Sequence, residues 1–308
     1  MSKLCYVNGK LMKENTKNPN DQYFTKPEVA KYLYEKAKEI IQNYEGSLQD
    51  YLWIEPAVGD GSFYDLFPED RRIGIDIEPR RKEFIESDYL EYQLPEGKKI
   101  VLGNPPFGHR GVLALEFINH SSTAHYVCFI LPMFFESKGK GSARYRVKDL
   151  NLIYSERLPK DSFYFPNTNK KVNINCVFQI WSKEHKIETD DYSWYRGEEP
   201  FKDIIELYTV STAKNRECGR KWITDKADFY ISSTFYGNAG LLDDFSKVKY
   251  GSGVAGVFKT EDEAEKNRII DGLKSIDWTE YATPSTNNCY HIGKSQIYEA
   301  IRRIRDNV

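Results

Sequence analysis

The chain has 308 residues, more than the roughly 100–200 of a typical domain, so one large domain or two unequal ones are expected. Its 40% hydrophobic and 29% charged residues are typical of a soluble globular protein and exclude collagen-like, coiled-coil and disulfide-rich classes. A formal net charge of −2 provides no global positive field, so a nucleic-acid role would have to rest on local charge.

The cysteines, histidines and apolar segments favour a reducing, aqueous compartment. The five cysteines are far apart and form no CxxC pair, so neither a disulfide framework nor a zinc site is expected. His109, His120 and His125 have no partner at ligand spacing, and they are expected to be structural, with no metal bound. The start of the chain has no apolar stretch typical of a secretory signal, and the run 126–135 is too short to cross a bilayer. A cytoplasmic protein without membrane association is therefore expected.

The order of segments predicts a helix followed by a series of strands. Residues 1–22 are polar and are expected to form an N-terminal arm. The segment from Pro27 to Gly46 places its apolar residues on one face, which predicts the first helix. Short apolar runs follow, and such runs are typical of strands covered on both faces. They are 51–56, 72–79, 83–88, 99–106, 125–132, 151–158 and 172–181.

The predicted fold class is α/β, with a doubly wound, mostly parallel, seven-stranded sheet and a smaller C-terminal α+β part. A polar stretch after Trp181 places the boundary near 183–190, and a charged helix is predicted near 261–274. The expected domains are therefore an arm at 1–22, a first domain at 23–185 and a second at 186–308.

The first chemical motif is the glycine turn EPAVGDGSF at 55–63, directly after a predicted strand. Glycines at the carboxyl end of a strand let a ligand approach the backbone, although many such turns merely join a strand to a helix. The dinucleotide fingerprint would need a third glycine at position 64, which is Tyr64. The absence of that glycine weighs against NAD as the ligand.

Two acidic residues follow the next two predicted strands. The carboxylate of Asp76 could accept hydrogen bonds from both hydroxyls of a ribose, and Asp88 could accept one from an adenine amino group. Either residue alone is equally a solvated acid at a strand end. Their order after the glycine turn predicts a binding crevice along one edge of the sheet.

The most specific motif is NPPF at 104–107, which closes the strand KIVLG. Its prolines hold the chain extended and cannot donate, so the carbonyl of Pro105 is free to accept beside the amide oxygen of Asn104. An amino group on an aromatic base is a poor nucleophile because its lone pair is delocalised. Two acceptors aimed at its N–H groups would favour the pyramidal geometry that restores the lone pair, and Phe107 would offer a stacking face.

The ordered segments QYFTKPEVA (22–30), EPAVGDGSF, IGIDIEP (73–79), ESDYL (86–90) and GNPPF resemble the S-adenosylmethionine-dependent N6-adenine methyltransferases. The likeness spans about residues 22–182 and is strongest to the DNA enzymes of restriction-modification systems in their gamma arrangement. It implies a class I methyltransferase-like fold, with catalysis in 23–185 and target recognition in 186–308. Lys26 departs from the pattern, since many relatives have proline directly after the threonine.

The resemblance also implies a role for each matching residue. Phe24 and Thr25 would contact the methionine part of S-adenosylmethionine, and Ile77 would lie against the adenine. The implied cofactor contacts are Phe24, Thr25, Glu55, Pro56, Gly59, Gly61, Asp76, Ile77, Asp88 and Tyr89, and the implied catalytic residues are Asn104, Pro105, Pro106 and Phe107.

An adenine inside a duplex must leave the stack before its amino group can react, so aromatic side chains are needed to receive it. The segment 163–181 resembles the hairpin that ends the catalytic domain of the family. Phe165 is the candidate that stacks on the base with Phe107, and Tyr164 is the alternative. Both aromatics could instead belong to the core of a hairpin.

Local positive charge lies between residues 138 and 171, where nine basic residues face three acidic ones. A charge run is often only a solvated surface, but this one follows the fifth predicted strand at the edge where a target would lie. The expected DNA contacts are Lys138, Lys140, Arg144, Arg146, Lys170 and Lys171.

These observations favour a site-specific DNA adenine-N6 methyltransferase that uses S-adenosylmethionine on double-stranded DNA, as a monomer or weak dimer. A short palindromic site such as CATG and a restriction-modification role are expected. The alternatives are an RNA adenine methyltransferase, a protein glutamine methyltransferase, and a catalytically silent nucleotide-binding or DNA-binding protein.

Overall fold

The structure is a computed structural model that describes residues 23–137, 142–165, 172–187, 199–212, 222–286 and 288–306, with the backbone of 4–7 and 10–13. The chain forms two compact units, residues 1–135 with 143–188, and residues 136–142 with 189–308. The predicted DNA contacts Lys138, Lys140, Lys170 and Lys171 lie outside the described residues.

The first unit contains two helices and eleven strands among its described residues. The helices are α1 (Pro27–Glu45) and α2 (Val112–His120). The strands are β1 (Leu4–Val7), β2 (Lys10–Lys13), β3 (Phe24–Thr25), β4 (Leu52–Glu55), β5 (Arg72–Asp76), β6 (Ile85–Glu86), β7 (Lys99–Gly103), β8 (Tyr126–Pro132), β9 (Asn151–Arg157), β10 (Phe163–Tyr164) and β11 (Cys176–Ser182).

A seven-stranded sheet in the order β6-β5-β4-β7-β8-β11-β9 forms the centre of this unit. The first five strands of that order are parallel, and β11 pairs antiparallel with both β8 and β9. Every residue of β7, β8 and β11 is buried, which explains why these strands are mostly apolar in the sequence, with Lys99, Gln179 and Ser182 as the exceptions. The predicted fold class, a mostly parallel seven-stranded α/β sheet, is confirmed.

Helix α1 packs its apolar face into the same core as the strands. Ala30, Leu33 and Ile41 are fully buried, as the sequence periodicity predicts. The helix ends at Gly46, whose left-handed φ of 72° lets its N–H donate to the carbonyl of Gln42 at 2.8 Å.

Two local pairings differ from the sequence predictions. Strands β1 and β2 form an antiparallel hairpin within the predicted arm, and the two residues between them in sequence, Asn8-Gly9, are the dipeptide that favours a two-residue hairpin loop. Strand β10 pairs with β3, whereas β11 pairs with β9. The interpretation of 163–181 as one hairpin is therefore wrong, because Phe163 and Tyr164 pair with the strand before α1.

The second unit is α+β, as predicted for the C-terminal part. It contains two three-stranded antiparallel sheets, and the predicted charged helix is present with its first turn capped by Asp262. The sheets have the orders β12-β15-β13 and β14-β17-β16. The strands are β12 (Ile205–Ser211), β13 (Phe229–Ser232), β14 (Thr234–Phe235), β15 (Ser252–Phe258), β16 (Thr283–Pro284) and β17 (Tyr290–His291), and the helices are α3 (Ile223–Lys226), α4 (Glu263–Ser275), α5 (Trp278–Tyr281) and α6 (Lys294–Asp306).

Candidate active site

The carboxyl ends of β4, β5 and β7 lie at one edge of the sheet, because these strands are parallel neighbours. In open α/β sheets a ligand binds at this edge, where the loops leave the strands. Here the edge contains a cavity of about 990 Å³, large enough for a nucleotide-sized ligand.

The glycine turn after β4 is held by the carboxylate after β5. Gly59 has a left-handed φ of 54°, and its N–H donates to Asp76 Oδ2 at 2.8 Å. A Cβ at Gly59 would lie 2.9 Å from Cε1 of Phe24, so a larger residue would displace that ring. Glycine is therefore required both by the backbone conformation and by the aromatic ring packed on it.

Asp76 is oriented by the main chain on both of its oxygens. Its Oδ1 accepts the N–H of Glu78 at 3.0 Å while Oδ2 accepts that of Gly59. A carboxylate has about four lone-pair sites, so capacity is left on both oxygens for ligand hydroxyls. The neighbouring Ile77 is 66% exposed although it is apolar, and it lines the cavity.

Glu55 differs from the other acidic residues of the cavity because its side chain is buried. It is 3% exposed, and its Oε2 accepts the N–H of Tyr64 at 2.6 Å. Burial raises the pKa of this carboxyl well above its ordinary value, and the hydrogen bond from Tyr64 offsets only part of that rise. A Cβ on Gly103 would lie 3.3 Å from Cγ of Glu55, so this side chain packs directly against the end of β7.

Strand β3 forms one wall of the cavity through its pairing with β10. Phe24 and Thr25 are both buried, and they lie opposite Tyr164 and Phe163. Thr25 Oγ1 is buried without a hydrogen-bond partner in the described part of the chain. An orphaned hydroxyl that lines a cavity is a polar group that a ligand could satisfy.

Asp60 connects the glycine turn to β10. Its Oδ2 accepts the hydroxyl of Tyr164, and its Oδ1 accepts the hydroxyl of Ser62 at 2.7 Å. Burial, together with the bond to Asp60, raises the pKa of Tyr164 to about 12, so the phenol stays protonated at neutral pH. The same hydroxyl of Ser62 lies 3.1 Å from the carbonyl of Thr25, which is its alternative acceptor. These bonds hold the β3–β10 pair against the turn.

The NPPF segment leaves β7 and enters the cavity from the other side. Asn104 is partly buried, and its Nδ2 donates to the main-chain carbonyl of Tyr23 at 2.9 Å. Within the described chain no group donates to Asn104 Oδ1 or to the carbonyl of Pro105. The two acceptors that the sequence predicts are therefore adjacent and available at the cavity.

Two predicted aromatic residues lie near this segment. Phe107 is 8% exposed and lines the cavity. Phe165 is not among the lining residues, but its ring contacts that of Tyr23 with centroids 5.2 Å apart. Phe165 thus contacts Tyr23, the residue whose carbonyl accepts from Asn104.

The segment after β6 supplies the last predicted cofactor contacts. Asp88 is exposed and its Oδ1 accepts the N–H of Leu90 at 2.9 Å. Tyr89 is 2% exposed, its hydroxyl shares a hydrogen bond with Ser121 at 2.7 Å, and its ring stacks on Phe117. Both residues line the cavity. Tyr89 therefore contributes a buried wall, and Asp88 an accessible acceptor.

Most of the predicted site residues come together, and a few do not. Gly61 lies outside the lining, where a Cβ would meet the guanidinium of Arg81 at 2.9 Å. Arg144 and Arg146 also lie outside it, and their segment is joined to α2 by Asn119, whose Nδ2 donates to the carbonyl of Arg146. The predicted residues that line the cavity are Phe24, Thr25, Glu55, Pro56, Gly59, Asp76, Ile77, Asp88, Tyr89, Asn104, Pro105, Pro106 and Phe107.

Several lining residues are missed by the sequence reasoning. Tyr23 contributes a main-chain carbonyl, for which no side-chain pattern gives a signal. Asp60 could have been found, since it is an acid between two glycines of the turn. His109, expected to be structural, is exposed at the cavity together with Arg110.

The sheet order and its one reversed strand are those of the class I methyltransferase-like fold. The chain has that fold. No family model matches the chain, and no curated protein matches it significantly.

Two solved structures resemble part of the chain. One is a candidate RNA methyltransferase from Pyrococcus horikoshii, with 16% identity and a TM-score of 0.40 over 53% of this chain and 87% of the other. The second is a protein from Thermoplasma acidophilum, with 19% identity and a TM-score of 0.33 over 51% of this chain and 89% of the other. Likenesses at this level do not assign a function.

No group of three or more His, Cys, Asp or Glu side chains within the described ranges is arranged to hold a metal ion. Among the helices described, none is long and apolar enough to span a bilayer.

Proposed function

We propose that this protein transfers a methyl group from S-adenosylmethionine to the N6 amino group of adenine in double-stranded DNA. The observation that carries the proposal is the pair of free acceptors, Asn104 Oδ1 and the Pro105 carbonyl, at a cavity whose opposite side ends in Asp76. An amino group with two N–H donors matches two fixed acceptors.

The cavity fits the proposed cofactor in charge and in polar groups. S-adenosylmethionine carries a sulfonium and an ammonium group. Besides the buried Glu55, whose pKa is raised, four acidic residues at the end of β5 and in the loops after β4, β5 and β6 line the cavity. Asp76 offers lone pairs suited to ribose hydroxyls, and the orphaned Thr25 Oγ1 offers a donor suited to a carboxylate. The acidic residues are Glu55, Asp60, Asp76, Glu78 and Asp88.

When bound, the cofactor supplies an electrophilic methyl group. Asn104 and Pro105 accept from the two N–H groups of adenine, which restores the lone pair of N6. N6 then forms the new N–C bond while the electron pair of the broken S–C bond stays on sulfur, and N6 releases one proton to water. The rate enhancement comes from positioning of the amino group rather than from a strong base.

A duplex substrate requires the adenine to leave the stack, at a cost of a few kcal/mol. Phe107 lies at the cavity, and Phe165 contacts Tyr23 next to it. Stacking on aromatic rings contributes about 1–3 kcal/mol per base, which offsets much of that cost. In this proposal the second unit recognises a short, palindromic site, as in a restriction-modification enzyme.

The decisive experiment supplies S-adenosylmethionine labelled on its methyl group and compares unmethylated duplex DNA, single-stranded RNA and denatured protein as acceptors. Mass spectrometry of the digested product identifies the methylated group. N6-methyldeoxyadenosine from the DNA is expected, with loss of transfer in Asn104→Ala. The matched control is Asn151→Ala, since Asn151 also donates from Nδ2 to a main-chain carbonyl, that of Ser182, but does not line the cavity.

The same experiment separates the alternatives. Methylation of RNA in preference to DNA would make the protein an RNA adenine methyltransferase, and a methylated glutamine would make it a protein methyltransferase. Full activity of Asn104→Ala on any of these acceptors would contradict the assigned mechanism.

A further inference from the structure

The turn that joins NPPF to α2, residues 108–111 with the sequence GHRG, has an unusual backbone. Gly108, Arg110 and Gly111 have φ values of 65°, 54° and 73°. This left-handed region is easily reached by glycine, but it costs roughly 1–2 kcal/mol for a residue with a Cβ. Arg110 is therefore held in a strained conformation directly after the proposed catalytic segment.

The packing explains the two glycines but not the arginine. A Cβ at Gly108 would lie 2.6 Å from Cβ of Leu113, and one at Gly111 would lie 3.0 Å from Cγ of Pro132. Nothing comparable requires a side chain at Arg110, where a third glycine would relieve the strain. A non-glycine residue kept in a strained conformation beside a site points to a role for its side chain.

The side chain of Arg110 is accessible and uncommitted. Arg110 and His109 are both exposed and line the cavity, and within the described ranges neither side chain makes a hydrogen bond or ion pair. The other arginines near the cavity are engaged: Arg80 lies over the ring of Phe24 at 4.6 Å, and Arg81 is paired with Asp65 at 2.6 Å.

The acidic residues of the cavity lie apart from Arg110. They are at the ends of β4 and β5 or in the loops after β4, β5 and β6, where Arg80 also lines the cavity, whereas His109 and Arg110 belong to the loop after β7. Because β4 lies between β5 and β7 in the sheet, the uncommitted positive charge is on the side of Asn104, away from Asp76. Among the described residues, the half of the cavity at Asn104 is therefore lined by basic side chains and by no acidic one, which suits an anion.

We infer that Arg110, assisted by His109, binds a backbone phosphate of the nucleic-acid strand next to the target adenine. This inference rests on the proposed function and narrows its substrate to a polynucleotide, rather than a free nucleoside or a protein side chain. The planar guanidinium can donate two parallel hydrogen bonds to one phosphate, which would fix the strand while the base enters.

The test measures binding of unmethylated duplex DNA and of single-stranded RNA between 50 and 200 mM salt, in wild type, Arg110→Gln and Arg110→Gly. Each phosphate contact adds about 0.9 to the slope of log affinity against log salt on duplex DNA, or about 0.7 on a single strand. Both variants are expected to lose about one such contact and to bind roughly tenfold more weakly near 100 mM salt. The control is Lys98→Gln, which removes one exposed charge directly before β7, at the amino ends of the parallel strands and away from the cavity.

Thermal unfolding of the variants shows whether a loss of binding is caused by a loss of stability. Arg110→Gly relieves the left-handed strain, so its unfolding midpoint should not fall although its binding does. An unchanged salt slope in both variants, on both polynucleotides, would overturn the phosphate contact. Methyl transfer is measured separately in wild type. If the proposed function is wrong, no transfer is seen, and this result does not depend on the salt slopes.

Discussion

The side-chain amide of Asn104 donates to the main-chain carbonyl of Tyr23 at 2.9 Å, and this bond joins the loop after β7 to the residue before β3. The next two residues, Phe24 and Thr25, form the wall on the proposed cofactor side. One short segment therefore orients the acceptor for the substrate and contacts the cofactor region. Because one Nδ2 hydrogen is engaged by Tyr23, the amide is held in one orientation, with Oδ1 as its acceptor atom.

The Asn104→Asp variant tests whether catalysis needs the side chain held in place by Tyr23, or only an oxygen acceptor at position 104. The aspartate retains an oxygen acceptor but places a second oxygen against the carbonyl of Tyr23, which repels it. We expect kcat to fall about 100-fold or more, as for other small misplacements of a reacting group. The affinity for S-adenosylhomocysteine, measured by calorimetry, should stay within about twofold because the cofactor wall is unchanged.

Asn151→Asp is the matched control for this change, since its amide donates to the carbonyl of Ser182 at 3.4 Å, away from the cavity. It should retain wild-type kcat. A wild-type rate in Asn104→Asp would show that the Tyr23 bond does not set the acceptor geometry.

The hydroxyl of Tyr164 offers a second test, because it holds β10 to the glycine turn through Asp60. In Tyr164→Phe this bond is lost and the β3–β10 wall is less well fixed. Hydrogen bonds to charged groups contribute about 1.5–3 kcal/mol, less where water competes, so the dissociation constant of S-adenosylhomocysteine should rise about tenfold. Titration calorimetry measures this directly.

Tyr32→Phe is the control for Tyr164→Phe. It removes another tyrosine–carboxylate bond, from Tyr32 to Glu156 at 3.1 Å, on an exposed face of α1. Cofactor affinity should be unchanged in this variant. Equal affinities in both variants would mean that the Tyr164 bond does not support the cofactor wall.

The sheet and most of the site could be predicted because their signals are local. Strand β8 is buried along all seven residues and is therefore a continuous apolar run, and the residues after parallel strands must meet at one edge. That rule brings Gly59, Asp76 and Asn104 together from three separate segments. The seven strands and the mostly parallel sheet were predicted in this way, whereas the order of the strands was not.

What could not be predicted depends on partners distant in sequence. Phe24 lies before all strands of the seven-stranded sheet in the sequence, and its partner Tyr164 lies between β9 and β11. Each of the two paired segments is too short to be identified as a strand. The carbonyl of Tyr23 carries no side-chain signal at all. No helix was predicted at α6, although Ile297, Ile301 and Ile304 recur at helical spacing.

Glu55 leads to a prediction about pH. Burial raises its pKa in the folded protein well above the ordinary value of 4.5, so the folded state holds this proton more tightly than the unfolded state. Stability from this group is complete below about pH 4.5 and is lost as pH rises toward the folded pKa. Glu55→Gln has no such titration and keeps an acceptor for the N–H of Tyr64. Its unfolding free energy should exceed that of wild type increasingly from pH 5 to pH 8, and match it near pH 4.

Glu45→Gln provides a control of opposite sign. Burial tends to raise the pKa of Glu45, but its hydrogen bonds with Tyr126 and His185 lower it. Its contribution to stability is therefore present above the ordinary pKa and is lost as pH falls, so Glu45→Gln should be destabilised most near neutral pH. Denaturant unfolding across the pH range measures both variants, and parallel curves for Glu55→Gln and wild type would contradict the assigned burial effect.

The proposed role of Phe165 in base extrusion can be tested directly. Its ring contacts that of Tyr23, next to Asn104, but it does not line the cavity. In Phe165→Ala, kcat/KM on duplex DNA should fall about 10- to 100-fold, which corresponds to the roughly 1–3 kcal/mol of one stacking contact. The loss should be smaller on a substrate whose adenine faces a mismatch, because less energy is needed to extrude it.

Tyr44→Ala, which removes an aromatic stacked on His185 away from the cavity, should behave as wild type on both substrates. An equal loss on matched and mismatched DNA would indicate that Phe165 supports the fold around Tyr23 rather than the extruded base.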